Sequence, residues 1–342
     1  MATPSDTQDN SSIDQTSIDH AREQSLEIDE HSDVDSALGD DTQSRTTSLT
    51  ESIYNYRQEF GRTYHAYKDG QYVFPNDERE SDRLDLQSHI LNLTYRRLHF
   101  APLEHPRHAL DIGAGTGIWA MDFADLYPEC QVIGIDLSPG QPAFVPPNLK
   151  FVIDDAEDEW IYDHKFDYVH CRLMAGCFAD VEKLIEQAYN NLEPGGWLEF
   201  QDYGLPLKSS DGTLEGTSLQ QWGELMCEAA RKIGRPMGSE VSGRYSEWMQ
   251  AAGFVDIEEK NFMWPSNTWP RDKYMKELGH WNMINITEGL EGFCLQLLTR
   301  GLGWQKEEID ILVAKVTADI KDRRIHAYYP MPVIWGRKPL HA

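Results

Sequence analysis

Four short stretches carry the residues best suited to chemistry: Asp111-Ile112-Gly113-Ala114-Gly115-Thr116-Gly117, then Asp136, Asp154-Asp155-Ala156 and His170-Cys171-Arg172. Glycines at 113, 115 and 117 let the backbone take positive φ and let a ligand approach with no Cβ in the way. A helix starting near Thr116 would aim free N–H groups and its positive dipole end at the same point. Asp136 stands 19 residues after Gly117. A carboxylate there can accept from both hydroxyls of a ribose, and one at Asp155 can meet an adenine amino group. Taken singly, each has a plainer reading. Glycine turns also join strands to helices for structural reasons, and Asp136 or Asp155 also reads as a helix N-cap. Jointly they describe an adenosine site.

The elements that must position these residues alternate. Strands over 108–112, 131–136, 149–153, 166–170 and 197–200 are separated by helices over 116–127 and 179–192 and by the turn Pro194-Gly195-Gly196. Each of the four stretches then lies at the carboxyl end of a strand, where open α/β sheets bind ligands. The alternation predicts an α/β fold with a doubly wound, mostly parallel sheet. An amphipathic helix over 77–98, capped by Asn76 or Asp77, precedes it. Beyond 204 the rhythm changes to helices over 217–233 and 240–252, a strand at 254–258, a helical block over 271–300 and 306–322, and a last strand over 326–335. Two late strands complete seven, and the helical insert reads as a lid over the ligand-binding edge.

Residues 1–50 differ in kind. They hold 12 Asp and Glu against Arg22 and Arg45, with no aromatic residue. Such a segment buries too little apolar surface to offset its chain entropy, which predicts a disordered acidic tail. It is a candidate site for a regulatory protein partner, or a solubilising leader. The ordered domain is expected over 54–340, with a core sheet over 107–204, helical cap elements over 205–252 and 262–325, and the closing strand. A net charge of −26 argues against direct contact with nucleic acid or an anionic membrane. Cys130, Cys171, Cys177, Cys227 and Cys294 show no metal-type spacing and read as reduced thiols, so no metal site is expected. No apolar leader or membrane-length apolar run occurs, which predicts an intracellular protein, cytoplasm ahead of nucleus.

Two adenosine-bearing cofactors compete for the site. Dinucleotide folds space their glycines G-x-G-x-x-G to seat a pyrophosphate, whereas this chain has Gly113-x-Gly115-x-Gly117 after Asp111. With Asp136, Asp155-Ala156 and Pro194-Gly195-Gly196, that pattern resembles the class I S-adenosylmethionine-dependent methyltransferases, of Rossmann-like fold. Further segments are similar to the fungal LaeA-like methyltransferases: Phe74-Pro75-Asn76-Asp77-Glu78, Arg83-Leu84-Asp85-Leu86-Gln87, Gly134-Ile135-Asp136-Leu137-Ser138-Pro139 and Trp335-Gly336-Arg337-Lys338-Pro339. The resemblance spans roughly 54–340. It implies S-adenosylmethionine as cofactor, with the glycine turn beside its methionine portion and the two acids on ribose and adenine. It also implies two roles: methylation of a small molecule of secondary metabolism, or regulation of secondary metabolism within a nuclear complex.

Methyl transfer needs nucleophile and methyl held in line in a dry pocket, and requires no signature catalytic residue. His170 is the candidate base, with a locally hydrogen-bonded histidine as the alternative. Arg172 could hold a cofactor or substrate carboxylate, or merely cap a helix. Glu199 and Asp202 are further candidates at the end of the fifth strand. Tyr64, Tyr72 and Trp119 could present π faces to a sulfonium, though a tryptophan placed as Trp119 is more often simply core. The motifs of base-amine, cytosine-C5 and arginine methylation do not occur, which leaves a small-molecule oxygen or nitrogen as acceptor.

Overall fold

The computed structural model describes residues 55–68 and 72–341; the acidic tail expected over 1–50 lies outside them. A short hairpin, β1 (Arg57–Glu59) and β2 (Arg62–Tyr64), opens the described chain. Helix α1 (Glu78–Tyr95) starts where expected, because the Asp77 side chain accepts from the Glu80 N–H at 3.1 Å. The same carboxylate receives Arg62 Nη2 at 2.7 Å, tying hairpin to helix.

The alternating section follows as β3 (His108–Ile112), α2 (Ile118–Leu126), β4 (Gln131–Asp136), β5 (Leu149–Ile153), β6 (Phe166–Arg172), α3 (Val181–Asn191) and β7 (Leu192–Gln201). These strands are parallel in the order β5-β4-β3-β6-β7. The chain starts in the middle and runs outward in both directions, so the sheet has its switch point at the end of β3. Side chains alternate between faces. Ala109, Val132 and Tyr168 pack with Trp119 and Phe123 of α2, while Leu110, Ile112, Val169 and Cys171 pack with Leu184 and Ile185 of α3.

The remainder comprises β8 (Lys208–Ser209), α4 (Ser218–Lys232), α5 (Ser239–Ser242), α6 (Tyr245–Ala252), β9 (Val255–Pro265), α7 (Lys273–Leu302), α8 (Lys306–Lys321) and β10 (Ala327–Arg337). Strand β10 lies antiparallel between β7 and β9, and β8 pairs with its first residues. The sheet therefore has eight strands, β8 being a two-residue addition to the seven expected. Several expectations shift. Strand β7 begins at Leu192, so Pro194-Gly195-Gly196, expected as a turn, lies within the strand. The helix expected over 240–252 is two helices, because Gly243 closes α5 by donating to Ser239 O at 3.1 Å. The strand expected at 254–258 continues to Pro265, because its pairing with β10 extends from Val255↔Arg337 to Pro265↔Tyr328. Residues 262–265 thus belong to the sheet rather than to the helical cap. Helices α4, α7 and α8 pack on one another and, with α1, form the cap. No helix among the described residues is long and apolar enough to cross a membrane.

Candidate active site

A cavity of about 270 Å³ opens above the carboxyl ends of β3, β4 and β6, roofed by α1, α7 and the segment around Tyr72–Asn76. Its floor is the glycine turn. Gly113 takes φ +72, where an L side chain is strained, and a Cβ there would sit 2.3 Å from Met174 Sδ and have to displace that thioether. The Gly113 and Ala114 N–H groups both donate to Ile135 O, at 2.9 and 3.0 Å, which pins the turn to the end of β4. Asp136 completes the clasp: its carboxylate accepts from Gly115 N at 2.8 Å and from Ser138 N at 2.9 Å. Burial pushes its pKa up, against those two backbone N–H groups. Each carboxylate oxygen keeps a second lone pair for a ligand hydroxyl.

Gly113, Gly115, Asp136, Asp155, Ala156, Tyr72 and Arg172 all line this cavity, so the fold gathers residues spread over a hundred positions. Asp155 is already engaged: Oδ2 lies 2.8 Å from Lys68 Nζ and Oδ1 accepts from Glu157 N at 2.9 Å. Arg172 reaches Ser88 Oγ at 3.4 Å and has no carboxylate at ion-pair distance among the described residues. Burial lowers its pKa, and an unpaired guanidinium on a cavity wall suits an anionic ligand group.

Other expected residues do not reach the cavity. His170 is wholly buried on the α2 face of the sheet, stacked on Trp119 with ring centroids 3.6 Å apart and planes at 11°. Its Nδ1 lies 2.8 Å from Asp111 Oδ1, and burial lowers its pKa. The reason is register: β6 runs on to Arg172, so His170 pairs with Asp111 inside the sheet rather than standing at a strand end. The structure therefore corrects the assignment of His170 as base, and it places Asp111 behind the turn instead of on the cavity wall. Gly117 is likewise set back; a Cβ there would sit 2.5 Å from Phe151 Cζ, and its φ is +83. Trp119 and Tyr64 are core residues. Glu199 accepts from Phe100 N and Ala101 N, each at 2.8 Å, and Asp202 from Ala175 N and the Tyr245 hydroxyl, at 2.9 and 2.7 Å. Both carboxylates are wholly buried and hold chain segments together.

The second half of the cavity was not legible in the sequence. Trp222 and Met226 of α4, Met237, Trp264 of β9, Asn285 of α7 and Tyr329 of β10 contribute to it. Their one sequence signal is the asparagine pair Asn282 and Asn285 inside an otherwise apolar helical stretch.

The chemistry of the wall fits S-adenosylmethionine. A floor of glycines and small side chains meets acceptors at Asp136, and Arg172, with no ion-pair partner among the described residues, stands beside apolar surface. Known proteins agree. Residues 86–259 match the methyltransferase domain family. Methyltransferase pytC of Aspergillus terreus is 42% identical over 303 residues, covering 87% of this chain and 93% of that protein. The probable methyltransferase tdiE of Emericella nidulans is 35% identical, covering 85% of this chain and 92% of its own. The secondary metabolism regulator laeA of Aspergillus fumigatus is 34% identical, covering 89% and 82%. The chain belongs to the methyltransferase domain family, as a LaeA-like class I S-adenosylmethionine-dependent methyltransferase.

Proposed function

We propose that the protein methylates an oxygen or nitrogen of a largely apolar small molecule made in fungal secondary metabolism. The observation that carries this reading is the continuity of one cavity, polar at the glycine turn and apolar toward Trp222, Met226 and Met237. When bound, S-adenosylmethionine supplies the electrophilic methyl group and its own leaving group. The protein's part is to position and to exclude water. Asp136, held by Gly115 and Ser138, orients the ribose; Asp155 and Ala156 border the adenine; Arg172 meets the methionine carboxylate. Burial keeps the Tyr72 and Tyr203 phenols neutral at the cavity wall, by raising their pKa values well above the ordinary range. No side chain is required as base if the acceptor ionises readily.

Two measurements test this. Calorimetric titration with S-adenosylhomocysteine should show binding that Asp136→Ala weakens by at least about tenfold; no heat with the wild-type chain would sink the cofactor assignment. Extracts of a host with and without the gene should differ by a product heavier by one methylene.

A regulatory role is the second reading, supported by the likeness to laeA and by the acidic composition of residues 1–50. Deleting those residues and comparing captured partners separates the two: an unchanged partner set removes the tail from the argument.

A further inference from the structure

Two asparagines of α7, Asn282 and Asn285, line the cavity and are wholly buried. Residues three apart on a helix share one face. Each amide is oriented by a partner that admits only one assignment. Asn282 Nδ2 donates to Pro265 O at 3.0 Å, an atom that can only accept. Asn285 Oδ1 accepts from Arg83 Nη1 at 2.8 Å, an atom that can only donate. The two remaining atoms, Asn282 Oδ1 and Asn285 Nδ2, have no hydrogen-bond partner among the described residues. One turn of α7 therefore carries an unsatisfied acceptor and an unsatisfied donor, on two residues that line the cavity.

Their surroundings narrow the complement. Arg83 is held by Glu80 at 2.7 Å, so its charge is already compensated. Trp264 spends its indole N–H on Thr94 Oγ1 at 2.8 Å and shows the cavity an apolar ring. Tyr329, opposite Trp264 in the β9–β10 register, lines the cavity with a hydroxyl that also lacks a partner. Buried polar atoms without partners are costly, and a ligand with complementary atoms removes that cost. A carboxylate brings an uncompensated charge and no N–H; an ester lacks the donor; an ammonium lacks the acceptor.

We propose that the methyl acceptor carries a lactam, whose ring holds the amide cis so that its N–H donates to Asn282 Oδ1 while its carbonyl accepts from Asn285 Nδ2. Its apolar body lies against Trp264. The proposal rests on the reading of this cavity as the acceptor site of a methyltransferase, and names the class of acceptor.

The test uses the full chain saturated with S-adenosylhomocysteine and two calorimetric probes, oxindole and N-methyloxindole, which differ by the lactam N–H. The wild-type chain should bind oxindole about tenfold more tightly. Asn282→Leu should remove that preference while keeping S-adenosylhomocysteine affinity within about threefold, the sign that the variant is folded. Equal binding of the two probes by the wild-type chain, or no binding of either, overturns the proposal and leaves the cofactor assignment standing. A preference that survives in Asn282→Leu overturns it as well. Failure of S-adenosylhomocysteine itself to bind would overturn the methyltransferase reading, and the proposal with it.

Discussion

The imidazole of His170 donates from Nδ1 to Asp111 Oδ1 at 2.8 Å, on a pair of neighbouring strands and beneath the Trp119 ring. The pair fixes the end of β3 from which the glycine turn departs. Neither side chain lines the cavity.

His170→Asn should therefore cost stability and leave the chemistry's pH dependence alone. Loss of the Trp119 stack predicts about 1–3 kcal/mol in denaturant unfolding. The profile of methyl transfer against pH should keep its shape. Loss of a limb from that profile would restore His170 as the base.

Gly117→Ala confronts two obstacles, a φ of +83 and a contact of 2.5 Å between the new Cβ and Phe151 Cζ. The backbone contribution is about 1–2 kcal/mol and the overpacking about 1–3 kcal/mol. In a Phe151→Leu background only the first should remain, giving a non-additive double-mutant cycle. Additive losses would mean that the ring is not the obstacle.

Glu199 gives a pH signature. Burial pushes its carboxyl from 4.5 up to about 6, against N–H donors at Ala101 and Phe100 and the Gln201 side chain. A raised folded pKa means the native state binds the proton more tightly than the unfolded chain. Its stabilisation is complete below about pH 4.5 and is lost as pH rises through about 6. Relative to Glu199→Gln, the wild-type chain should lose about 2 kcal/mol between those limits. Urea unfolding over a pH series reads this difference, and parallel curves would contradict it.

Lys68 competes for Asp155. Its Nζ lies 2.8 Å from Asp155 Oδ2 and 2.5 Å from Asp158 Oδ2. If Asp155 receives the adenine, Lys68→Met should raise S-adenosylhomocysteine affinity by up to about tenfold. Unchanged affinity would leave Asp155 a structural residue, and reduced affinity would assign the contact to Lys68 itself.

Much of the cofactor half was legible in the sequence because it is built from local rules. Glycine spacing, a carboxylate at the end of an apolar strand and the strand–helix alternation each operate within a few residues. The structure brings Gly113, Gly115, Asp136 and Asp155, which they single out, to one cavity wall. What failed was decided by register and face. One strand ran two residues longer than its apolar pattern suggested, and that moved His170 from the cavity to the underside of Trp119 while delivering Arg172 in its place. The acceptor half was illegible for a related reason. Trp222, Trp264, Asn282, Asn285 and Tyr329 come from four elements whose meeting depends on how α4 and α7 pack above β9 and β10. Local sequence determined the glycine turn that floors the cavity, since backbone conformation is set by neighbours. Only long-range packing decided what faces the acceptor, since no spacing along the chain encodes which helix faces come together.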